Sequence, residues 1–344
     1  MDIRARLNEV RRSKLMWPLV ALAMLLLFNL FFTGNFFKIE IKDGHLYGSL
    51  IDILKNSAPI MLLAIGLTLV IATKGIDISV GAVVAISAGV VAVMIGGDFA
   101  GVPKYPIFVA MGLAVLVATV AGLWNGMLVS RVGMQPIIAT LILFVAGRGI
   151  AMVLTNAQII WLYNKEFFFV GTGYLFGLPF PIFIVLAVLL LTTLVTRRTS
   201  AGMFIEAVGI NPVATRFSGI NAKNILLGVY AFSGFCAGVA GLIVCANVKS
   251  ADGNNAGNLF ELDAILAVVL GGTSLNGGKF TLVGSIIGAL IIQTLTTTIY
   301  AFNIAPEISQ VVKAMVVFAV CLMQSSVFRT KMSGLFAKKE IAHG

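Results

Sequence analysis

The sequence predicts an all-α, polytopic integral membrane protein with about ten transmembrane helices and both termini cytoplasmic. Three observations predict it. Of 344 residues, 59% are hydrophobic and 11% charged, whereas a soluble domain carries about a quarter charged residues. The apolar residues gather in blocks of roughly 20, the length that crosses a bilayer. The basic residues behind the net charge of +10 collect at the termini and in alternate loops, which is how membrane topology is set and is not the pattern of a nucleic-acid surface.

The first block, 15–34, follows a basic start. It exceeds the roughly 7–15 residues of a signal core and no small-residue cleavage site follows it, so it reads as an anchor. Blocks 53–73 and 78–97 flank "TKGID", where Lys74 marks an inner boundary. Asp77 and Ser79 then suit the start of the third helix, because an acidic or hydroxyl side chain accepts orphan backbone N–H groups there. Gly75 allows the tight turn. Blocks 106–130 and 134–155 meet near Arg131, and a polar outer segment, 156–179, leads to the short block 180–196.

The inner segment 197–222 contains Asn211-Pro212, an asparagine cap with proline in the first turn. Gly219 closes that helix after about two turns; Val213 and Phe217 share one face at i, i+4, and Arg216 points elsewhere. Block 223–247 leads to the outer segment 248–266, where Asn258 and Glu261 have capping-box spacing, so Glu261 and Asp263 fit a helix start. The short block 259–273 and the blocks 281–300 and 308–326 complete the ten. Sixteen basic residues then fall inside and six outside, which places both termini in the cytoplasm. The chain is a single domain, 1–344, with a membrane core near 15–326 and a tail at 327–344. "KGIDISVG" and "GGTSLNGG" look loosely alike but support no internal repeat.

Chemistry is sparse. "GGTSLNGGKF" fails the P-loop pattern, because Phe280 follows Gly278-Lys279 and Thr273 holds the first glycine position. His45 and His343 are isolated, Cys236, Cys245 and Cys321 lie in apolar runs, and there is no Gly-x-Ser-x-Gly elbow. No metal site, cofactor or catalytic group is expected. Proton and ion pathways rely on mid-membrane carboxylates. Asp77, Glu261 and Asp263 fall at helix starts, and Asp98 and Glu307 at outer edges. Arg148 and Lys313 are the charges well within spans. Lys313 reads as snorkelling outward, and Arg148 as either a functional or a hydrogen-bonding residue.

"GIDISVGAVVAIS" (75–87), "GLWNGMLV" (122–129), "MQPIIATLILFVAGRGIA" (134–151), "GMFIEAVGINPVATRFSGI" (202–220) and "ELDAILAVVLGGTSLNGG" (261–278) are similar, in this order, to permease subunits of bacterial ABC importers for ribose, galactose and related sugars. "GMFIEAVGIN", "ADGNNAG" and "EISQVVKAMVVF" most resemble the galactofuranose-type members. Lys74 stands where glycine is more usual and Ile137 where phenylalanine often follows the proline. The resemblance implies a transport subunit of the bacterial inner membrane, not an enzyme, with ATP and Mg on a separate ATPase subunit. It also implies a periplasmic sugar-binding protein, a second and different permease chain, a monosaccharide cargo, surrounding lipid and no nucleic acid.

By the same resemblance, the segment with Glu206, Asn211, Pro212, Val213, Arg216 and Phe217 corresponds to the coupling helix that docks on the ATPase. Gly75, Asp77, Ser79, Gly81, Glu261, Asp263, Gly271 and Gly272 carry the signature and gating motifs, with Glu261 and Asp263 alternatively meeting the binding protein or the sugar. Passage of a sugar asks for hydrogen-bonding side chains and aromatic faces. The candidates are Trp124, Asn125, Arg148, Asn247, Gln293, Thr294 and Thr297, each of which also suits helix packing. An ion-coupled transporter is the rival, and an arabinose, ribose, nucleoside or branched-chain amino acid permease the nearer alternative.

Overall fold

The computed structural model describes residues 15–34, 36–42, 44–96 and 103–324; the basic amino terminus, Asp98 and the tail 327–344 lie outside them. The described chain is mostly helical. Its helices are α1 (Met16–Phe32), α2 (Ser49–Ala72), α3 (Val80–Ile95), α4 (Ile107–Met127, continued by a π turn to Val132), α5 (Pro136–Leu154), α6 (Lys165–Thr172), α7 (Phe180–Arg198), α8 (Ala201–Ile210), α9 (Pro212–Phe217), α10 (Ala222–Val248), α11 (Phe260–Leu270), α12 (Leu282–Ala301) and α13 (Pro306–Gln324). Short antiparallel pairs tie the loops. Glu40–Lys42 pairs with His45–Tyr47, Tyr174–Leu175 with Leu178–Pro179, and Ile160–Trp161 with Ser250–Ala251.

Among the described residues, six helices are long and apolar enough to cross a membrane, namely α2, α4 with its π turn, α5, α7, α10 and α12. Helices α1 and α3 and the stretch Ile308–Ala319 of α13 are apolar but shorter. Six of the ten expected spans thus have a helix of that length, and the expected span at 259–273 falls furthest short. Helix α11 has 11 residues, about 16 Å at 1.5 Å per residue, roughly half of a bilayer core. Two further helices, α6 and α8, form in segments read as polar connections.

The packing sorts residues by size. Helix α2 is apolar on all sides and buried from Ser57 through Ala72, as a helix enclosed by others must be. Helix α4 turns Ala110, Ala114, Ala118 and Gly122 inward, a stripe at four-residue spacing, and leaves Phe108 and Leu116 outside. The stripe lets the backbones of α4 and α10 approach closely: a Cβ at Gly122 would collide with the Tyr230 carbonyl, and one at Gly234 with the Ala118 carbonyl. With hydrocarbon outside, small residues inside and large ones outward is how membrane helices associate. Cys236 and Cys245 are buried small core residues, as expected.

Candidate functional site

The turn between α2 and α3 is built from its backbone outward. Lys74 adopts φ +63, a left-handed conformation that glycine takes without strain, so Lys74 and not Gly75 reverses the chain. Gly75 is needed for clearance instead, because a Cβ there would come within 2.5 Å of the Tyr230 hydroxyl. The exposed Lys74 ammonium donates to the Ile210 carbonyl at 3.0 Å.

Asp77 sits inside the protein, 1% exposed, and not at a solvated boundary. Its Oδ1 accepts the Ser79 N–H at 3.0 Å and the Ser79 hydroxyl at 2.6 Å. Its Oδ2 accepts the Ser233 hydroxyl of α10 at 3.0 Å. The Asn125 amide of α4 donates to Ser79 Oγ at 2.8 Å. On the other flank, Thr140 of α5 donates to the Ile76 carbonyl and accepts the Ile78 N–H. The expected cap is therefore only partly realised: Ser79 holds the cap position without a side-chain cap bond, and Asp77 crosslinks the turn to α10.

The larger correction concerns Glu261. The sequence puts the starts of α3 and α11 on opposite membrane faces, yet here they meet. Glu261 is 3% exposed, and a Cβ at Gly81 would collide with its carboxylate. The expected capping box is absent: Leu259 holds the cap position without a side-chain cap bond, and Asn258 is exposed. The reason is that residues 252–257 fold inward. Gly257, at φ +64, passes so close to the Gly81 carbonyl that a Cβ would lie 2.8 Å from it, and Gly253 packs likewise on the Ala151 carbonyl. Arg148 of α5 secures the segment, donating through Nη1 to the Ala256 and Asn254 carbonyls at 2.5 and 3.2 Å. Its Nη2 is buried without a hydrogen-bond partner among the described residues. Within the same turn, Asp252 accepts from the Asn254 and Asn255 N–H groups and the Asn255 amide. Partial burial works to raise its carboxyl, but those bonds and nearby Arg148 outweigh it and hold the group below the usual carboxylate range.

Asp263 pairs with Lys313 at 3.0 Å, each mostly buried, so Lys313 joins α13 to α11 and does not snorkel. Gly271 lies against the Gly284 backbone and accepts the Thr281 hydroxyl through its carbonyl; Gly272, at φ +86, continues that turn.

The candidate path residues do not form one lining. Asn125 and Thr294 are buried in packing, and Trp124 faces outward at 53% exposure. Gln293 and Thr297 are half-buried, one turn apart on α12, and Asn247 reaches Asn56 at 3.4 Å. Ser233, Tyr230 and Thr140 join these contacts without any local signal, each in an apolar helix where a lone polar side chain reads as packing, and Asn56 lies beside Lys55 and Ser57 in the polar first turns of α2.

The segment after α8 folds as its residues dictate. Asn211 Oδ1 accepts the N–H groups of Val213 and Ala214 at 3.0 Å each, Pro212 opens α9, and Gly219 ends it at φ +82. Thr215 faces inward, while Val213 and Phe217 are 63% and 89% exposed. Arg216 is exposed and Glu206 half-buried on α8. Exposed Met203 and Ile210 of α8 are further large apolar side chains that the sequence did not single out. Helix α8 also meets the site above, since Gly209 packs on the Ala72 carbonyl, which accepts the Gly278 N–H at 2.8 Å.

Residues 49–321 match the family described as branched-chain amino acid transport system / permease component. The galactofuranose transporter permease protein YtfT of Escherichia coli is 47% identical over 94% of this chain and 95% of its own. The fructose import permease protein FruF of Bifidobacterium longum is 39% identical over 92% and 89%, and the ribose import permease protein RbsC of Escherichia coli 36% over 89% and 92%. No solved structure matches the chain.

Proposed function

The chain belongs to the branched-chain amino acid transport system / permease component family, and on that premise we propose that it is the transmembrane permease of an ATP-driven sugar importer. Its relatives are sugar permeases. The identity of 47% to a galactofuranose permease favours galactofuranose or galactose as cargo, ahead of arabinose, ribose or a nucleoside. In this reading a periplasmic binding protein delivers the sugar, a second permease chain completes the path, and a separate ATPase subunit holds ATP and Mg. The chain sits in the bacterial inner membrane with its termini cytoplasmic.

The observation that carries the mechanism is the exposed apolar face of α9. Two large side chains held out on a capped helix, outside every candidate span, suit a groove in a partner. A push on α9 has a short route inward. Asn211 is continuous with Ile210, whose carbonyl holds Lys74, and Lys74 begins the turn that carries Asp77. From there the hydrogen bonds to Ser79, Ser233 and Asn125 reach α3, α10 and α4. Rigid-body movement of α8 and α9 would thus shift the place where the starts of α3 and α11 meet.

The two buried carboxylates, Asp77 and Glu261, favour a second reading, an ion-coupled transporter. Both readings meet in one experiment. The importer is reconstituted in proteoliposomes with its ATPase and binding protein, and uptake of labelled galactose and galactofuranose is followed. Uptake that needs ATP and survives a proton uncoupler is expected. Uptake that needs a proton or sodium gradient and ignores ATP would overturn the proposal.

A further inference from the structure

A groove of about 300 Å³ runs between α7, α8 and α10 over Leu69 of α2, with Leu191, Val195, Ile205, Ile225 and Phe232 among its walls. Its polar walls are few. The Thr192 and Thr196 hydroxyls donate to the Val188 and Thr192 carbonyls, and Asn224 Oδ1 accepts from Arg131 at 2.8 Å. The rest of the lining is apolar, so hydrocarbon suits it better than a sugar or a water. Gly228 is part of the wall, and a Cβ there would meet nothing within 4 Å.

One end of the groove is cationic. Arg197 and Arg198 in the last turn of α7 and Lys223 in the first turn of α10 are exposed, and Asn224 holds Arg131 at the rim. Against these four, the framing helices carry one carboxylate at this end, Glu206. A hydrocarbon slot between membrane helices with a basic rim has the chemistry of an anionic phospholipid site.

We propose that the groove holds an acyl chain of an anionic phospholipid whose phosphate lies among Arg197, Arg198 and Lys223. The lipid would brace α8, and through it α9, against the outward-facing α7. The inference rests on a bilayer whose headgroups lie at the basic end, and not on which cargo is carried.

The test uses the full importer, purified and exchanged into synthetic phosphatidylglycerol or phosphatidylcholine, with retained lipid counted by native mass spectrometry. Retention of phosphatidylglycerol through washes that strip phosphatidylcholine is expected. Gly228→Leu, projecting into open groove, should lose that lipid from an intact complex; Val195→Phe supplies the same readout if Gly228→Leu does not assemble. The double variant Arg197→Gln/Arg198→Gln should reduce the phosphatidylglycerol preference by roughly fivefold per charge removed. Equal retention of the two lipids by the wild type overturns the proposal, as does undiminished phosphatidylglycerol in the groove-filling variant. Disulfide trapping of Gly228→Cys to the second permease would overturn it too, by making the groove a protein interface.

Discussion

Truncating Phe217 separates docking from folding. The ring is 89% exposed and lies past the last bond of the Asn211 cap, so Phe217→Ala removes almost no intramolecular packing. Exposed substitutions of that kind move stability by about 0.5 kcal/mol or less. Covering an aromatic side chain removes on the order of 150 Å² or more from water, worth about 4 kcal/mol at 25 cal/mol per Å² before ordering costs. A loss of about 2 kcal/mol is therefore a conservative expectation for an anchor residue, close to a 30-fold weaker ATPase contact. Copy number in the membrane and thermal stability in detergent should match the wild type. Co-purification with the ATPase subunit and ATP-driven uptake should both fall, and no ion gradient should restore uptake. Normal ATPase retention with wild-type uptake would refute α9 as the coupling helix.

The meeting of α3 and α11 makes Gly81→Ala costly, because the new methyl would meet the Glu261 carboxylate and the Gly257 carbonyl; a loss of about 1–3 kcal/mol is expected for such overpacking. Glu261→Ala should relieve part of it, so a double-mutant cycle read by thermal unfolding in detergent should give coupling above about 0.5 kcal/mol; strictly additive losses would mean the two sites are apart. For topology, Phe176→Cys at 89% exposure and Leu275→Cys at 48% are accessible reporters. In a background lacking Cys321, an impermeant thiol reagent added to intact cells should label position 176 and leave 275 untouched, and the reverse pattern would invert the orientation.

Local rules were legible wherever the chemistry closes within a few residues. Asn211, Pro212 and Gly219 form the cap, first turn and stop of α9 from side chains at most a turn from the backbone they serve. The long apolar blocks became helices, since a bilayer leaves the backbone no other way to pair its polar groups. Family membership followed from five motifs in order. Other features stayed illegible because they are sums over distant partners. Gly75 looked like the hinge, but Lys74 bears the left-handed φ while Gly75 clears Tyr230, which lies more than 150 positions away. Lys313 looked free to reach outward until α13 packed beside Asp263. Sequence alone determined the class of this protein, its helical blocks and its capped α9, because burial in lipid and capping read composition and short spacing. Only the tertiary structure decided that Asp77 and Glu261 lie buried where two helices begin. Hydropathy counts residues per span, whereas the inward course of 252–257 depends on Gly81, Gly253 and Gly257 letting three backbones touch.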